Sequence, residues 1–376
     1  MTETPFSSWV ASQLERVRAA DQWRTNRTFD ALGPVGTLDG RSVVHFASND
    51  YLGLASHAEV IGAAKAAIDR WGTSATASRL IVGSRPIHDE LEAELAAWKG
   101  TEAALVFPTG FATNVGVLTT LGGPDCLVVS DELNHASIID GCRMSRSAIA
   151  IARHNDVDHI AELLTANELP RAIVVADAVF SMDGDEAPVH ALADVCMRHG
   201  ALLVLDEAHS VFGPDLDTLA AAPDLDLVRV VTLSKGLGAL GGAACSSRQV
   251  IDLLVNRARS FIFTTGLPPA DTAAALAAIR IVRGPEGPAL AERVRKHTDR
   301  VAPGHPSPIV PVVVGEEQSA VDAAGALLER GMLVPAIRPP TVAPGTSRLR
   351  ITFSAAHTDE QVDMLIAALA ALGLDG

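Results

Sequence analysis

Residues 232–238 read Thr232-Leu233-Ser234-Lys235-Gly236-Leu237-Gly238 and close a mostly apolar run that begins at Leu227. A strand that ends beside two hydroxyl residues, a lysine and a glycine turn can aim the lysine into a site. The chain has four lysines, Lys65, Lys99, Lys235 and Lys296, so lysine chemistry has few candidates. A second apolar run, Ala201-Leu202-Leu203-Val204-Leu205, lies upstream and ends in Asp206-Glu207-Ala208-His209. An acid and a histidine at one strand end, and a lysine at another, match what pyridoxal phosphate (PLP) needs. Its aldehyde condenses with a lysine amine, and a carboxylate keeps its ring nitrogen protonated.

Outward from these two strands the same texture repeats. Ala103–Phe107, Cys126–Val129, Ile149–Ala152, Ala172–Ala176, Ala201–Leu205 and Val228–Leu233 are short and largely apolar throughout. Such runs belong in a parallel sheet covered on both faces. Glu90–Trp98 and Val189–His199 read as covering helices, and Trp9, Val10, Leu14 and Val17 predict an amphipathic N-terminal helix. After Arg283 the order changes. Ile309–Val314, Met332–Ile337 and Leu349–Phe353 read as strands, with helices at Ser319–Arg330 and Asp359–Leu372. The expected fold class is therefore α/β: an N-terminal helix and arm (1–42), a large, mostly parallel sheet domain (43–283) and a smaller C-terminal α+β domain (284–376).

Composition narrows the function. With 376 residues, 48% hydrophobic and 20% charged, the chain can bury a large core. A net charge of −15 argues against nucleic acid as the main partner, because phosphate backbones need a basic face. Cys126, Cys142, Cys196 and Cys245 form no Cys-x-x-Cys pair and read as reduced thiols of a cytoplasmic protein. The N-terminal stretch Met1–Val10 lacks the apolar core of a signal peptide, and no run reaches the roughly 20 apolar residues that span a bilayer. No metal site is expected.

The string Leu203-Val204-Leu205-Asp206-Glu207-Ala208-His209 also suits a magnesium-binding acid motif of phosphate-loop ATPases. That reading requires a lysine after a glycine, and the four lysines follow Ala64, Trp98, Ser234 and Arg295. Phe107-Pro108-Thr109-Gly110-Phe111-Ala112-Thr113-Asn114 reads as a strand end, a glycine turn and a helix start, a setting that binds phosphate. His135 follows the run Cys126–Val129, where an imidazole can lie over a pyridine face. Arg348 and Arg350 alternate with Leu349 and Ile351, so they share one strand face, and a guanidinium fork suits a carboxylate.

Seven motifs, in order along nearly the whole chain, resemble the α-oxoamine synthases. These are fold-type I PLP-dependent transferases that join an amino acid to an acyl thioester with loss of carbon dioxide. The motifs are Ser48-Asn49-Asp50-Tyr51-Leu52-Gly53-Leu54; Thr109-Gly110-Phe111; His135 with Ser137; Val179-Phe180-Ser181-Met182-Asp183-Gly184-Asp185; Asp206-Glu207-Ala208-His209; Ser234-Lys235-Gly236; and Arg338-Pro339-Pro340-Thr341-Val342 leading to Arg348-Leu349-Arg350. The Phe-Ser-Met-Asp-Gly and Arg-Pro-Pro-Thr-Val strings lean toward the biotin-synthesis branch, which condenses L-alanine with a pimeloyl thioester.

The resemblance implies roles. Lys235 would hold the cofactor as a Schiff base, Asp206 would pair with its ring nitrogen, His209 would contact its ring hydroxyl and His135 would stack on it. Ser181 would sit beside the ring. Thr109, Gly110, Phe111 and Thr232 would hold phosphate. Arg350 and Asn49 would bind the amino acid, with Arg350 on its carboxylate. Thr264 and Thr265 would reach the phosphate of a partner subunit, which implies a homodimer with shared sites.

The chain departs from the family pattern at Gly72–Arg79, where alanines replace glycines, and at Ser210-Val211-Phe212-Gly213, where a Gly-Arg-Gly loop is shortened. Both lie where the acyl channel is expected. Condensation of glycine with an acetyl thioester is the first alternative within the family. A catalytically idle partner subunit is the alternative outside enzymology. Coenzyme A and acyl carrier protein both stay open as the thioester carrier.

Overall fold

The computed structural model describes residues 4–374 except 21, 215, 221 and 223, so the first three residues of the stretch read from Met1 lie outside the described residues. The chain opens with helix α1 (Pro5–Ala19), capped by Thr4, and three strands, β1 (Phe29–Ala31), β2 (Val35–Leu38) and β3 (Arg41–His45). Helices α2 (Ala58–Trp71) and α3 (Pro86–Lys99) lead to β4 (Ala103–Phe107), α4 (Gly110–Leu121), β5 (Cys126–Asp131), α5 (Ala136–Ser145), β6 (Ala148–Ala152), α6 (Val157–Thr165) and β7 (Arg171–Asp177). Then come α7 (Val189–His199), β8 (Leu202–Asp206), the short α8 (Asp217–Ala220), β9 (Leu227–Thr232) and β10 (Gly242–Ser246). Helices α9 (Arg248–Arg257), α10 (Arg259–Ile262), α11 (Pro269–Arg283) and α12 (Glu286–Asp299) follow. The chain ends with β11 (Ile309–Gly315), α13 (Glu317–Glu329), β12 (Met332–Leu333), β13 (Ala336–Ile337), β14 (Ser347–Thr352) and α14 (Asp359–Ala371).

Seven strands form the central sheet in the order β4-β10-β9-β8-β7-β5-β6. The pairs β5–β6, β5–β7, β7–β8 and β8–β9 are parallel, while β10 runs antiparallel to both its neighbours. The six apolar runs are all strands of this sheet. β10, reading Gly242-Ala-Ala-Cys-Ser, is not announced by its sequence, because glycine, alanine and serine carry little strand preference. It is fully buried, and its small side chains admit the helices on either face.

One expectation needs correction. Met332–Ile337 is not one strand. β12 joins β3 in a small sheet and β13 joins β14 in another, with Pro335 between them. Proline lacks an N–H for a continuous ladder, and the Pro335 carbonyl instead accepts from Arg350 N–H at 3.0 Å. Helix α1 forms where Trp9, Val10, Leu14 and Val17 placed it; Val10 and Val17 are half-buried and Trp9 is 56% exposed. The boundary read at 42/43 falls inside β3, which ties the N-terminal strands to the C-terminal segment through β12.

His357 is buried, with its ring stacked on Phe46 at 4.4 Å between centroids. Burial holds its pKa down at about 4, and pushes His45, His88 and His297 in the same direction. As pH falls, the unfolded chain therefore takes up these protons first. The contribution is full above about pH 6.5 and is lost as pH falls toward 4, by about 3 kcal/mol for His357 alone. Denaturant midpoints should drop steeply over that window, and less steeply in His357→Leu. A flat profile would reject the assignment.

Candidate active site

The carboxyl ends of five sheet strands face one site. β4 leads to Thr109, β5 to His135, β7 ends at Asp177, β8 at Asp206 and β9 at Thr232. That edge is where open α/β sheets bind ligands. Asp177 and Asp206 are register partners across β7 and β8, and both are buried. Asn114 of α4 donates through Nδ2 to Asp206 Oδ2 at 2.6 Å and to Ser137 Oγ at 2.9 Å. The Ala208 N–H donates to Asp206 Oδ1 at 2.9 Å. Asp206 is thus held at both oxygens.

Two adjacent buried carboxylates cannot both be charged cheaply. Burial first, and then the Asp206 carboxylate, push the Asp177 carboxyl well above its usual range. Asp177 also accepts the His135 backbone N–H at 2.7 Å, which places that ring at the start of α5. The His135 Nδ1 lies 2.7 Å from Ser137 Oγ. Burial, then the Lys235 cation, lower the pKa of His135.

Lys235 follows β9 and reaches back across the sheet end. Its Nζ lies 2.9 Å from Nε2 of His209. Burial lowers the lysine pKa against the pull of Asp206 and Asp177, which favours the reactive neutral amine. Burial, then Lys235 and Arg350, push His209 well below its ordinary value, so it is neutral. Its Nδ1 lies 2.6 Å from the Tyr51 hydroxyl, which lies 3.1 Å from Asn49 Oδ1.

Arg350 comes from β14. It donates through Nε to the Ser181 carbonyl at 2.6 Å and through Nη2 to Asn49 Oδ1 at 3.4 Å. It is only 6% exposed, yet among the described residues no carboxylate pairs with it. Its neighbour on the same face, Arg348, is instead paired with Asp183. A buried guanidinium with neutral partners is built to receive an anion.

The turn into α4 is formed by backbone. The Thr109 hydroxyl caps α4, accepting from Ala112 N–H at 3.0 Å. A Cβ on Gly110 would lie 3.1 Å from Thr232 Oγ1, and one on Gly242 would lie 2.6 Å from Gly110 Cα. Both glycines keep this turn close to β9 and β10 with the helix amides facing outward, where an anion is favoured. The residues present fit PLP: an amine for its aldehyde, a carboxylate for its ring nitrogen, an imidazole for its face and a helix start for its phosphate.

The structure thus brings Lys235, His209, Asp206, His135, Ser181, Arg350 and Asn49 to one end of the sheet, with Thr109, Gly110 and Thr232 together at the turn into α4. Phe111, the second residue of α4, is 47% exposed. Among the described residues Thr264 and Thr265 form no hydrogen bond with this cluster. Asp177, Asn114 and Tyr51 were not assigned roles from sequence. Tyr51 carried a signal, being the only tyrosine of the chain and lying inside the first quoted motif.

A model of the aminotransferase class I and II family matches residues 41–369. The chain belongs to that family. An 8-amino-7-oxononanoate synthase from Anaeromyxobacter dehalogenans is 48% identical over 97% of this chain and 95% of its own. One from a Methylobacterium species is 49% identical over 89% of this chain and 88% of its own. A solved single-site variant of serine palmitoyltransferase from S. paucimobilis, with bound PLP–myriocin aldimine, is 30% identical, with a TM-score of 0.88 over 99% of this chain and 100% of that one. The family member described here thus has the fold-type I transferase arrangement, and the resemblance to α-oxoamine synthases holds along its length.

Proposed function

We propose that the protein is a PLP-dependent 8-amino-7-oxononanoate synthase, which condenses L-alanine with a pimeloyl thioester and releases carbon dioxide in biotin biosynthesis. The observation that carries the amino acid half is the buried Arg350, without a carboxylate partner among the described residues, beside the Lys235–His209 pair. Full-length relatives at 48–49% identity support the acyl half. When bound, PLP supplies an aldehyde for amines and a protonated ring that draws electrons from the bonds at the amine-bearing carbon.

The chain's residues do the rest. Lys235 would anchor the cofactor, and its neutral Nζ is the base placed to take the Cα proton of alanine. Asp206, fixed by Asn114 and the Ala208 amide, would hold a proton on the ring nitrogen. His135 would cover the ring, and Ser181 and His209 would hold its edge. Thr109, Gly110, Phe111 and Thr232 would hold the phosphate. Arg350, with Asn49, grips the substrate carboxylate and so turns the Cα–H toward Lys235.

The working unit is a homodimer in the cytoplasm. Thr264 and Thr265 lie beside Phe263, which is 71% exposed, and α10 adjoins the segment 79–83 with Ile81 and Val82 also exposed. A second copy covering this face would bring the two threonines to its neighbour's phosphate. All four cysteines are free, as suits a reducing compartment.

Product mass decides the reading. The purified chain with PLP, L-alanine and pimeloyl-coenzyme A is expected to yield the mass of 8-amino-7-oxononanoate, and glycine with acetyl-coenzyme A to yield none. Product from the glycine pair alone would keep the cofactor chemistry and overturn the substrate assignment.

A further inference from the structure

We propose that Tyr51 is a positioning residue that fixes the tautomer of His209, and through it the direction in which the Lys235 amine presents its lone pair.

The argument starts at Arg350, which can only donate. Its Nη2 faces Asn49 Oδ1, so the Asn49 amide is oriented with its oxygen toward the guanidinium. The opposite orientation would set two donors against each other. The same oxygen lies 3.1 Å from the Tyr51 hydroxyl and carries no hydrogen, so Tyr51 must donate to it. A phenol has one proton, and here it is committed. The Tyr51 oxygen therefore turns a lone pair toward His209 Nδ1 at 2.6 Å, and Nδ1 must carry the hydrogen. A neutral imidazole has one N–H, so Nε2 is bare and accepts from Lys235 Nζ at 2.9 Å.

The protonation states along this chain agree with it. Tyr51 is fully buried and its pKa is pushed up to about 12, so the phenol keeps its proton. His209 is held neutral by its burial, with the Arg350 cation acting in the same direction. With one N–H of Lys235 tied to His209, the lone pair of the neutral amine is left free to attack a carbonyl. That last step rests on the role proposed for Lys235. The tautomer does not, since it is read on the chain's own residues without cofactor or turnover.

The test is long-range proton–nitrogen NMR of the full chain labelled with 15N-histidine, with the His209 signals assigned by their loss in His209→Gln. The wild-type chain is expected to show His209 protonated at Nδ1. In Tyr51→Phe the partner of Nδ1 is gone, and the major form should shift to the Nε2–H tautomer. Asn49→Leu should produce the same shift, because the Tyr51 hydroxyl is then free to donate to Nδ1. Asn49→Asp, whose oxygens also only accept, should keep the wild-type tautomer. These two variants carry the test if Tyr51→Phe does not fold. An Nε2–H tautomer in the wild-type chain, or no shift in either Tyr51→Phe or Asn49→Leu, overturns the proposal. Loss of turnover in Tyr51→Phe with an unchanged tautomer would also count against it, as a packing effect.

Discussion

Replacing Lys235 by alanine is expected to abolish turnover and covalent attachment of PLP together, while the fold survives. The substitution removes the anchoring amine and the base at once. A positioned general base alone contributes roughly 10²–10⁴-fold, so residual activity should lie at or below the detection limit of a steady-state assay. No other lysine can replace it. Lys99 is bound to Glu207 at 2.7 Å in a buried ion pair, with Arg229 bound to the same carboxylate. The Lys235 amine makes its hydrogen bond to His209 alone among the described residues, so its loss leaves a neutral imidazole rather than an orphaned charge. Product formation, and the absorbance of the cofactor–lysine linkage, are the two readouts. Full activity in the variant would end the assignment of this site.

How much of this was legible beforehand follows from what sequence encodes well. The apolar runs mark buried parallel strands directly, because both faces of each strand are covered, and the residues placed just after Leu205 and Thr232 then had to share a sheet edge. What escaped were contacts that depend on register. Asp177 directly follows the apolar run of β7 with no motif to mark it, and only the fold buries it opposite Asp206, where burial and then that neighbour raise its pKa. Asn114 sits in the second turn of α4, where helical spacing gives no reason to single it out. β10 was missed because small residues carry no strand signature, although its place between β4 and β9 sets the close approach of Gly242 to Gly110. The split at Pro335 was legible in principle from the missing N–H, but the two half-strands were too short to separate by pattern.

Replacing Arg350 by alanine is expected to raise the KM for L-alanine far more than that for the thioester. A hydrogen bond to a charged group contributes about 1.5–3 kcal/mol, which corresponds to roughly ten- to more than a hundredfold in affinity. The expected rise for alanine lies in that range, and the thioester KM should move little. The kcat should fall as well, since the carboxylate grip also aims the Cα–H at Lys235. Arg350→Lys separates charge from geometry. A lysine keeps the cation but offers no planar fork and would no longer reach both the Ser181 carbonyl and Asn49 Oδ1. Its KM for alanine should fall between the two, with kcat still low. Arg348 supplies the control on the same strand face, because its guanidinium is already committed to Asp183 and cannot take over the carboxylate. If both substrates lose affinity equally in Arg350→Ala, the residue is a structural cation and the carboxylate binds elsewhere. If alanine alone loses it, the unpaired charge on β14 is the specificity element that selects an amino acid for this site.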